Sequence, residues 1–216
     1  VISGILLPTS GEIIFEGNII SGLPPHKISE GGIQRTFQNL RLFSNLPAIT
    51  NVEIGRHLET KADLSTILEV RNSRKSEHNG DEEALKWLSF LGMDDKANML
   101  AKNLAYGEQK ALEIARALAS RPKVLLLDEP VAGLNPNEVI ILADVIKRIK
   151  DMGITVLVVE HNMRFIMDVC DRIVVINFGK KIAEGTPSEI QNNPAVQKAY
   201  LGTEGEYEHK NDARNT

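Results

Sequence analysis

The chain has 216 residues, 42% of them hydrophobic and 25% charged. That is the composition of an ordinary globular protein, with enough length for one α/β domain. The formal net charge is −4, a balance that gives nucleic-acid binding no support. The longest apolar runs, Val124–Leu127 and Ile154–Val159, are strand-sized and fall well short of the roughly 18–20 residues of a membrane span. No basic stretch followed by an apolar one opens the chain, so no signal peptide is expected. A single cysteine, Cys170, cannot form an internal disulfide and suits a reducing compartment, where it reads as a small buried hydrophobe.

In chain order, Val1 to Leu7 reads as the end of a helix without its start. Gly11 to Ile20 reads as a hairpin turning at Glu16-Gly17-Asn18. Pro24-Pro25 opens a short helix that stops at Gly31-Gly32, and Ile33 to Phe37 is a strand ending at Gln38. Thr50 and Glu53 have capping-box spacing at the head of a helix through about Leu58. Glu59 to Gly80 is polar with weak periodicity and is expected to be mobile. Asp81 to Leu91 returns to helix, with Leu85, Leu88 and Leu91 on one side and Gly92 as C-cap.

From Lys102 the pattern becomes β/α alternation. A helix is expected over Glu108–Ser120 and a strand over Val124–Leu127. A second helix over Pro136–Lys150 carries Asn135 at its N-cap, Pro136 at N1 and Glu138 three residues on. Strand Ile154–Val159, helix Met163–Val169 and strand Arg172–Ile176 follow. Strands this apolar suit a parallel sheet covered on both faces. Lys181–Ala183 is expected to pair back as a hairpin, and Thr186-Pro187-Ser188-Glu189 starts a last helix with the same cap logic.

Chemistry concentrates at the carboxyl ends of the expected strands, where open α/β sheets bind ligands. Val124 to Leu127 runs into Asp128 and Glu129: one carboxylate can hold Mg²⁺ through oxygen or water, and its neighbour can act as a general base on water. Leu104-Ala105-Tyr106-Gly107-Glu108-Gln109 heads a long helix, where Gly107 and the helix N-terminus make an anion site suited to a γ-phosphate. His161 follows the next strand and can donate to a phosphate or an attacking water. Gln38 follows a strand in the same way, and a neutral amide there can join a metal shell and orient water.

Together these residues resemble the ATP-binding subunit of ABC transporters. Gln38 stands at the Q-loop, Leu104–Gln109 at the signature motif, Val124–Asp128 at Walker B with Glu129 as catalytic carboxylate, Ala132–Asn135 at the D-loop, and His161 at the switch histidine. Within that family, LAYGEQ, DEPVAGLNP, VVEHNM and EGTPSEIQNNPAVQKAYLG look like the ATPase of branched-chain amino acid uptake. The related urea/amide ATPases are the alternative. The lipopolysaccharide-export ATPase is disfavoured by Ala105-Tyr106, since it carries a Ser-Gly-Gly-type signature.

The resemblance implies an α/β P-loop NTPase core with a mostly parallel sheet and an N-terminal antiparallel hairpin. A helical subdomain would span 48–103 and a flexible tail 203–216. It implies ATP and Mg²⁺ as ligands, with Asp128 and Gln38 at the metal and Gln38, Leu104–Gln109 and Asn135 at the nucleotide. Glu129 and His161 would do the catalytic work. The implied partners are a second, homologous ATPase subunit, the membrane permease subunits and, indirectly, a solute-binding protein, all at the cytoplasmic face of the inner membrane.

The chain departs from the family pattern in two ways. Ala105, Tyr106 and Glu108 stand where the common signature has Ser, Gly and Gln, and Asn135 stands where the D-loop usually has Asp. No G-x-x-x-x-G-K-[ST] phosphate loop occurs anywhere in the sequence. The expectation that follows is an N-terminally incomplete cassette that hydrolyses little ATP by itself. A soluble ABC-type ATPase of translation or DNA repair, or a non-catalytic interaction fragment, are the competing readings.

Overall fold

The computed structural model describes residues 1–36, 40–56 and 77–199. The chain forms two compact units, Val1–Glu160 and His161–Thr216. In the first unit, β1 (Ile14–Phe15) and β2 (Asn18–Ile19) make an antiparallel hairpin. Its turn residues Glu16 and Gly17 have φ of 49° and 78°, the left-handed pair that a tight hairpin turn demands. Helix α1 (Pro25–Glu30) leads into β3 (Ile33–Arg35). A three-stranded parallel sheet in the order β3–β4–β5 joins it to β4 (Val124–Asp128) and β5 (Thr155–Val159). Two helices line the chain before and after β4: α4 (Tyr106–Leu118) and α5 (Pro136–Asp151).

Helices α2 (Ala48–Gly55), α3 (Glu77–Phe90) and α4 share one apolar core, in which Ala48, Val52, Ala84, Leu88, Leu112 and Ala115 are fully buried. Gly92 ends α3 as expected: its φ is +69°, and the following Met93 N–H returns 2.9 Å to the Leu88 carbonyl. On α3 the buried pair is Ala84 and Leu88, four residues apart, while Leu85 faces outward.

In the second unit, β6 (Ile173–Asn177) pairs antiparallel with β7 (Lys180–Gly185), flanked by α6 (Met163–Val169) and α7 (Pro187–Gln191). Its core is Ile166, Ile173, Ala183, Ile190 and Val196, with the half-buried Cys170 packed against it. Thr186 and Glu189 form the expected reciprocal cap on α7, each accepting the other's backbone N–H at 3.4 and 2.7 Å.

Several local expectations differ from what forms. Val1 to Leu7 is a turn rather than a helix end. The Gly4 N–H closes on the Val1 carbonyl at 2.9 Å, and Gly4 has φ +73° where a Cβ would lie 2.7 Å from the Leu23 carbonyl oxygen. Helix α2 starts at Ala48, so Thr50 lies buried inside it instead of capping it. No side-chain cap is needed there, because the Ala48 and Ile49 N–H groups donate to the Met99 and Ala97 carbonyls, both at 2.9 Å. Helix α4 starts at Tyr106, two residues before the expected Glu108. Strand β4 is covered on both faces, but β5 is an edge strand whose Leu157 and Val159 are exposed. Strand β6 joins its own two-stranded sheet rather than the parallel one. Residues 59–76 of the segment expected to be mobile lie outside the described residues.

Candidate active site

The carboxyl end of β4 delivers Asp128 and Glu129 in succession. Glu129 has φ 46°, a left-handed conformation that costs an L-residue roughly 1–2 kcal/mol. Three backbone-directed bonds hold it there. Its N–H donates to the Val159 carbonyl on β5 at 2.9 Å, and its carbonyl accepts both the Ala132 N–H at 3.2 Å and the Lys110 Nζ at 2.9 Å. The peptide units on both sides of the Glu129 α-carbon are thus held, the first through its N–H and the second through its carbonyl, as the chain leaves the sheet.

Asp128 pairs with Arg35 on β3, Oδ2 to Nη2 at 2.8 Å, and Arg35 is itself held by Ser3 Oγ at 3.0 Å. Beside Asp128 lies a cavity of about 10 Å³, room for one water. Thr36, Lys110, Glu113, Ile114, Asp128 and Pro130 line it. Lys110 is only 6% exposed. Burial pulls the Lys110 ammonium below its usual pKa, against the pull of Glu113, Glu160, Glu129 and Asp128, which favour the charge.

The first turn of α4 carries the residues read as a signature. Ala105 is the N-cap and offers no side-chain oxygen, so Glu108 performs half a capping box alone, accepting the Ala105 N–H at 2.9 Å. The same carboxylate is ion-paired to Lys96. The Lys96 hydrogen bond, then that backbone N–H, hold Glu108 below the ordinary carboxylate range, and Lys96 is raised by the same pair. Leu104 is buried, and Gln109 Nε2 donates to its carbonyl at 2.9 Å.

Gly107 sits inside the helix and faces Glu138, whose Oε1 lies 2.6 Å from where a Cβ would be. The Tyr106 ring covers Gly133, φ +79°, with Cε1 2.9 Å from a Cβ built there. Asn135 caps α5 as expected, its Oδ1 accepting the Asn137 and Glu138 N–H groups at 3.0 and 3.1 Å, and Glu138 returns to the Asn135 N–H at 2.8 Å. The signature turn and the loop after Glu129 are therefore packed together in one unit.

Of the residues singled out by sequence, Asp128, Glu129, Leu104–Gln109 and Asn135 lie in the first unit along β4, α4 and the start of α5. His161 is exposed at the start of the second unit, directly after Glu160, whose Oε1 accepts the Val131 N–H at 3.1 Å. Gln38 lies outside the described residues. Sequence reasoning missed Lys110, Arg35, the contact of Gly133 with Tyr106 inside the loop it had marked, and the second role of Glu138. Only Glu138 had a local signal, its capping spacing; the others act across the fold.

No cluster of three metal-binding side chains occurs among the described residues. A magnesium ion carried on a triphosphate needs only one or two carboxylates, with phosphate and water completing its shell. Asp128 fits that demand as a single oxygen donor, since Arg35 engages only its Oδ2.

Residues 1–132 match the ABC transporter family, and residues 180–206 match the branched-chain amino acid ATP-binding cassette transporter family. The high-affinity branched-chain amino acid transport ATP-binding protein BraF of Pseudomonas aeruginosa is 45% identical over 204 residues, covering 93% of this chain and 80% of the relative. LivG of Escherichia coli, which carries the same description, is 40% identical over 203 residues with the same coverage. The lipopolysaccharide export ATP-binding protein LptB of Haemophilus influenzae is 33% identical, over 92% of this chain and 77% of the relative. Among solved structures, a nucleotide-free ATP-binding cassette from an ABC transporter superposes with a TM-score of 0.77 at 30% identity, covering 93% of this chain and 80% of that one. An ADP-bound cassette gives 0.78 at 30% identity, covering 94% and 81%. With matches of this extent, on a sheet whose central strand ends in Asp128-Glu129, the chain belongs to the ABC transporter ATP-binding family.

Proposed function

We propose that the chain is the ATP-hydrolysing subunit of an importer for branched-chain amino acids, working with a second, homologous ATPase subunit. The pair would dock on membrane permease subunits at the cytoplasmic face of the inner membrane, fed by a solute-binding protein. The observation that carries this reading is Glu129, which leaves the end of a buried parallel strand in a pinned left-handed conformation, one residue after the carboxylate fitted to a metal. The match of residues 180–206 to the branched-chain family favours that solute class over the lipopolysaccharide-export alternative.

Glu129 orients the attacking water and takes up its proton as the γ-phosphoryl group transfers. His161 donates to the γ-phosphate. The backbone amides at the head of α4, around Gly107, face the nucleotide held by the partner subunit, with Asn135 bracing the adjoining loop. Asp128, with Gln38 and water, would hold Mg²⁺, which when bound neutralises charge on the phosphates. Phosphoryl transfer asks for positioning and charge neutralisation more than covalent help, and the fixed geometry around β4 supplies the first.

The test is ATP turnover by a subunit that carries these residues together with a phosphate loop, assembled with its permease and partner. The Glu129→Gln variant is expected to lose about 10²–10⁴ in rate, and wild-type turnover should rise when leucine-loaded binding protein is added. Undiminished hydrolysis by Glu129→Gln removes the catalytic assignment. Stimulation by a different solute class, with none by leucine, isoleucine or valine, removes the substrate assignment.

A further inference from the structure

The sequence gives no hint that a residue inside the signature helix reaches the catalytic strand, yet Lys110 does. It lies one turn along α4 from Tyr106, is 6% exposed, and extends its Nζ to the Glu129 carbonyl at 2.9 Å. The same ammonium stands 5.6 Å from the centre of the Tyr106 ring, within the range of a cation–π contact. An ammonium is costly to bury and is found buried only where specific partners repay the lost water. Here its Nζ donates to a backbone carbonyl, while Glu113, Glu160, Glu129 and Asp128 favour its charge. That carbonyl belongs to a residue in the left-handed region, where nothing intrinsic holds an L-glutamate.

We propose that Lys110 is a positioning residue for ATP hydrolysis: through the Glu129 carbonyl it locks that residue's peptide in the left-handed turn and thereby aims its carboxylate. The proposal rests on the reading of Glu129 as the group that activates water. The other two bonds to the Glu129 backbone come from within β5 and the loop itself. Lys110 is the one side chain among the described hydrogen bonds that fastens this peptide to α4. Its ammonium also stands over Tyr106, whose ring covers Gly133 four residues beyond Glu129. Lys110 therefore ties the turn to the same helix that presents the signature residues.

The experiment is a cycle of ATP turnover in the assembled transporter with wild type, Lys110→Met, Lys110→Arg, Glu129→Gln and the Lys110→Met/Glu129→Gln double variant. Methionine keeps the length and the burial but removes the donor; arginine keeps a donor. Lys110→Met is expected to lower kcat at least tenfold with the KM for ATP changed by no more than about twofold. Lys110→Arg should keep most of kcat, and Lys110→Met should add nothing once Glu129 is Gln, because groups acting as one unit are not additive. Melting temperatures are taken for every variant. The proposal is overturned if Lys110→Met keeps kcat within twofold of wild type, or if Met and Arg lose equally in step with their melting temperatures. It is also overturned if Lys110→Met still lowers the residual rate of Glu129→Gln tenfold, since Lys110 would then act elsewhere. A Glu129→Gln variant with wild-type kcat points instead to failure of the underlying assignment, and the two failures are read from different arms.

Discussion

Replacing Gly107 with alanine sets two effects of similar size against each other, and the structure says which partner must give. Glycine inside a helix costs roughly 0.5–1 kcal/mol relative to alanine, so on propensity alone Gly107→Ala stabilises α4. The new Cβ would lie 2.6 Å from Glu138 Oε1 and 2.9 Å from its Cδ, so the Glu138 carboxylate has to move by about half an ångström or more. That carboxylate is the reciprocal half of the α5 cap, accepting the Asn135 N–H at 2.8 Å. Loss of one such bond costs about 0.5–1.5 kcal/mol. The two effects cancel to within about 1 kcal/mol, so the single variant should melt within a few degrees of wild type. The informative quantity is the cycle with Glu138→Ala, measured by urea unfolding at equilibrium. In the Glu138→Ala background the clash is gone, and Gly107→Ala should deliver its full propensity gain. The interaction energy between the two positions should therefore reach about 1 kcal/mol. A cycle that closes to within about 0.3–0.5 kcal/mol, the scatter expected of independent sites, would refute the contact between the signature turn and the α5 cap.

Gly55→Ala should behave differently, because its Cβ would overlap the Arg116 backbone carbonyl on α4 rather than the end of a side chain. We expect a net loss of about 1–3 kcal/mol from overpacking, seen as a melting temperature several degrees lower; an unchanged melt would mean that α2 and α4 are not so closely apposed. Asn135→Ala removes the acceptor of two backbone bonds and should cost about 1 kcal/mol, whereas Asn135→Gly should cost only a few tenths; equal losses in chemical denaturation would exclude a capping role. Glu108 predicts an acid limb. Its folded pKa is depressed, first by Lys96, so its contribution is complete above the ordinary 4.5 and disappears as pH falls through the lower folded value. Stability measured against pH should lose part of that limb in Glu108→Gln, and an identical acid profile for the two proteins would contradict the pairing.

What could be read in the sequence was whatever short-range rules decide. Asn135-Pro136 with Glu138, Thr186-Pro187 with Glu189, Glu16-Gly17 and Gly92 each solve a local backbone problem with the residue types that problem demands, and each was placed where it forms. The misplacements have a common cause. At Thr50 the cap signal was present, but the chain obtained the same hydrogen bonds from Ala97 and Met99, dozens of residues away, and the helix began earlier. At Gly107 a glycine read as a loop residue proved to be helical, its missing side chain explained by Glu138 on another helix. Arg35 meets Asp128 across 93 positions, and Lys110 meets Glu129 across 19. A lone arginine in a short strand or a lysine on an amphipathic helix has nothing in its own neighbourhood to mark it.

The departures from the common signature make physical sense as a set. Without a hydroxyl at Ala105, one half of the cap on α4 is absent, and Glu108 supplies the other half while its charge is balanced by Lys96. The Tyr106 ring at the first position of α4 lies over residue 133, where a side chain would meet its Cε1 at 2.9 Å and the φ of +79° suits glycine. Gly107 must stay small because Glu138 occupies the space beside it. Lys110 then closes the arrangement by joining the Tyr106 ring to the Glu129 carbonyl. These contacts couple the first turns of α4 to the turn at Glu129 and to the cap of α5, so substitutions in one of them bear on the others. A serine-type signature placed on this scaffold would lose the ring that fills the space over Gly133 and one of the two contacts that locate the lysine.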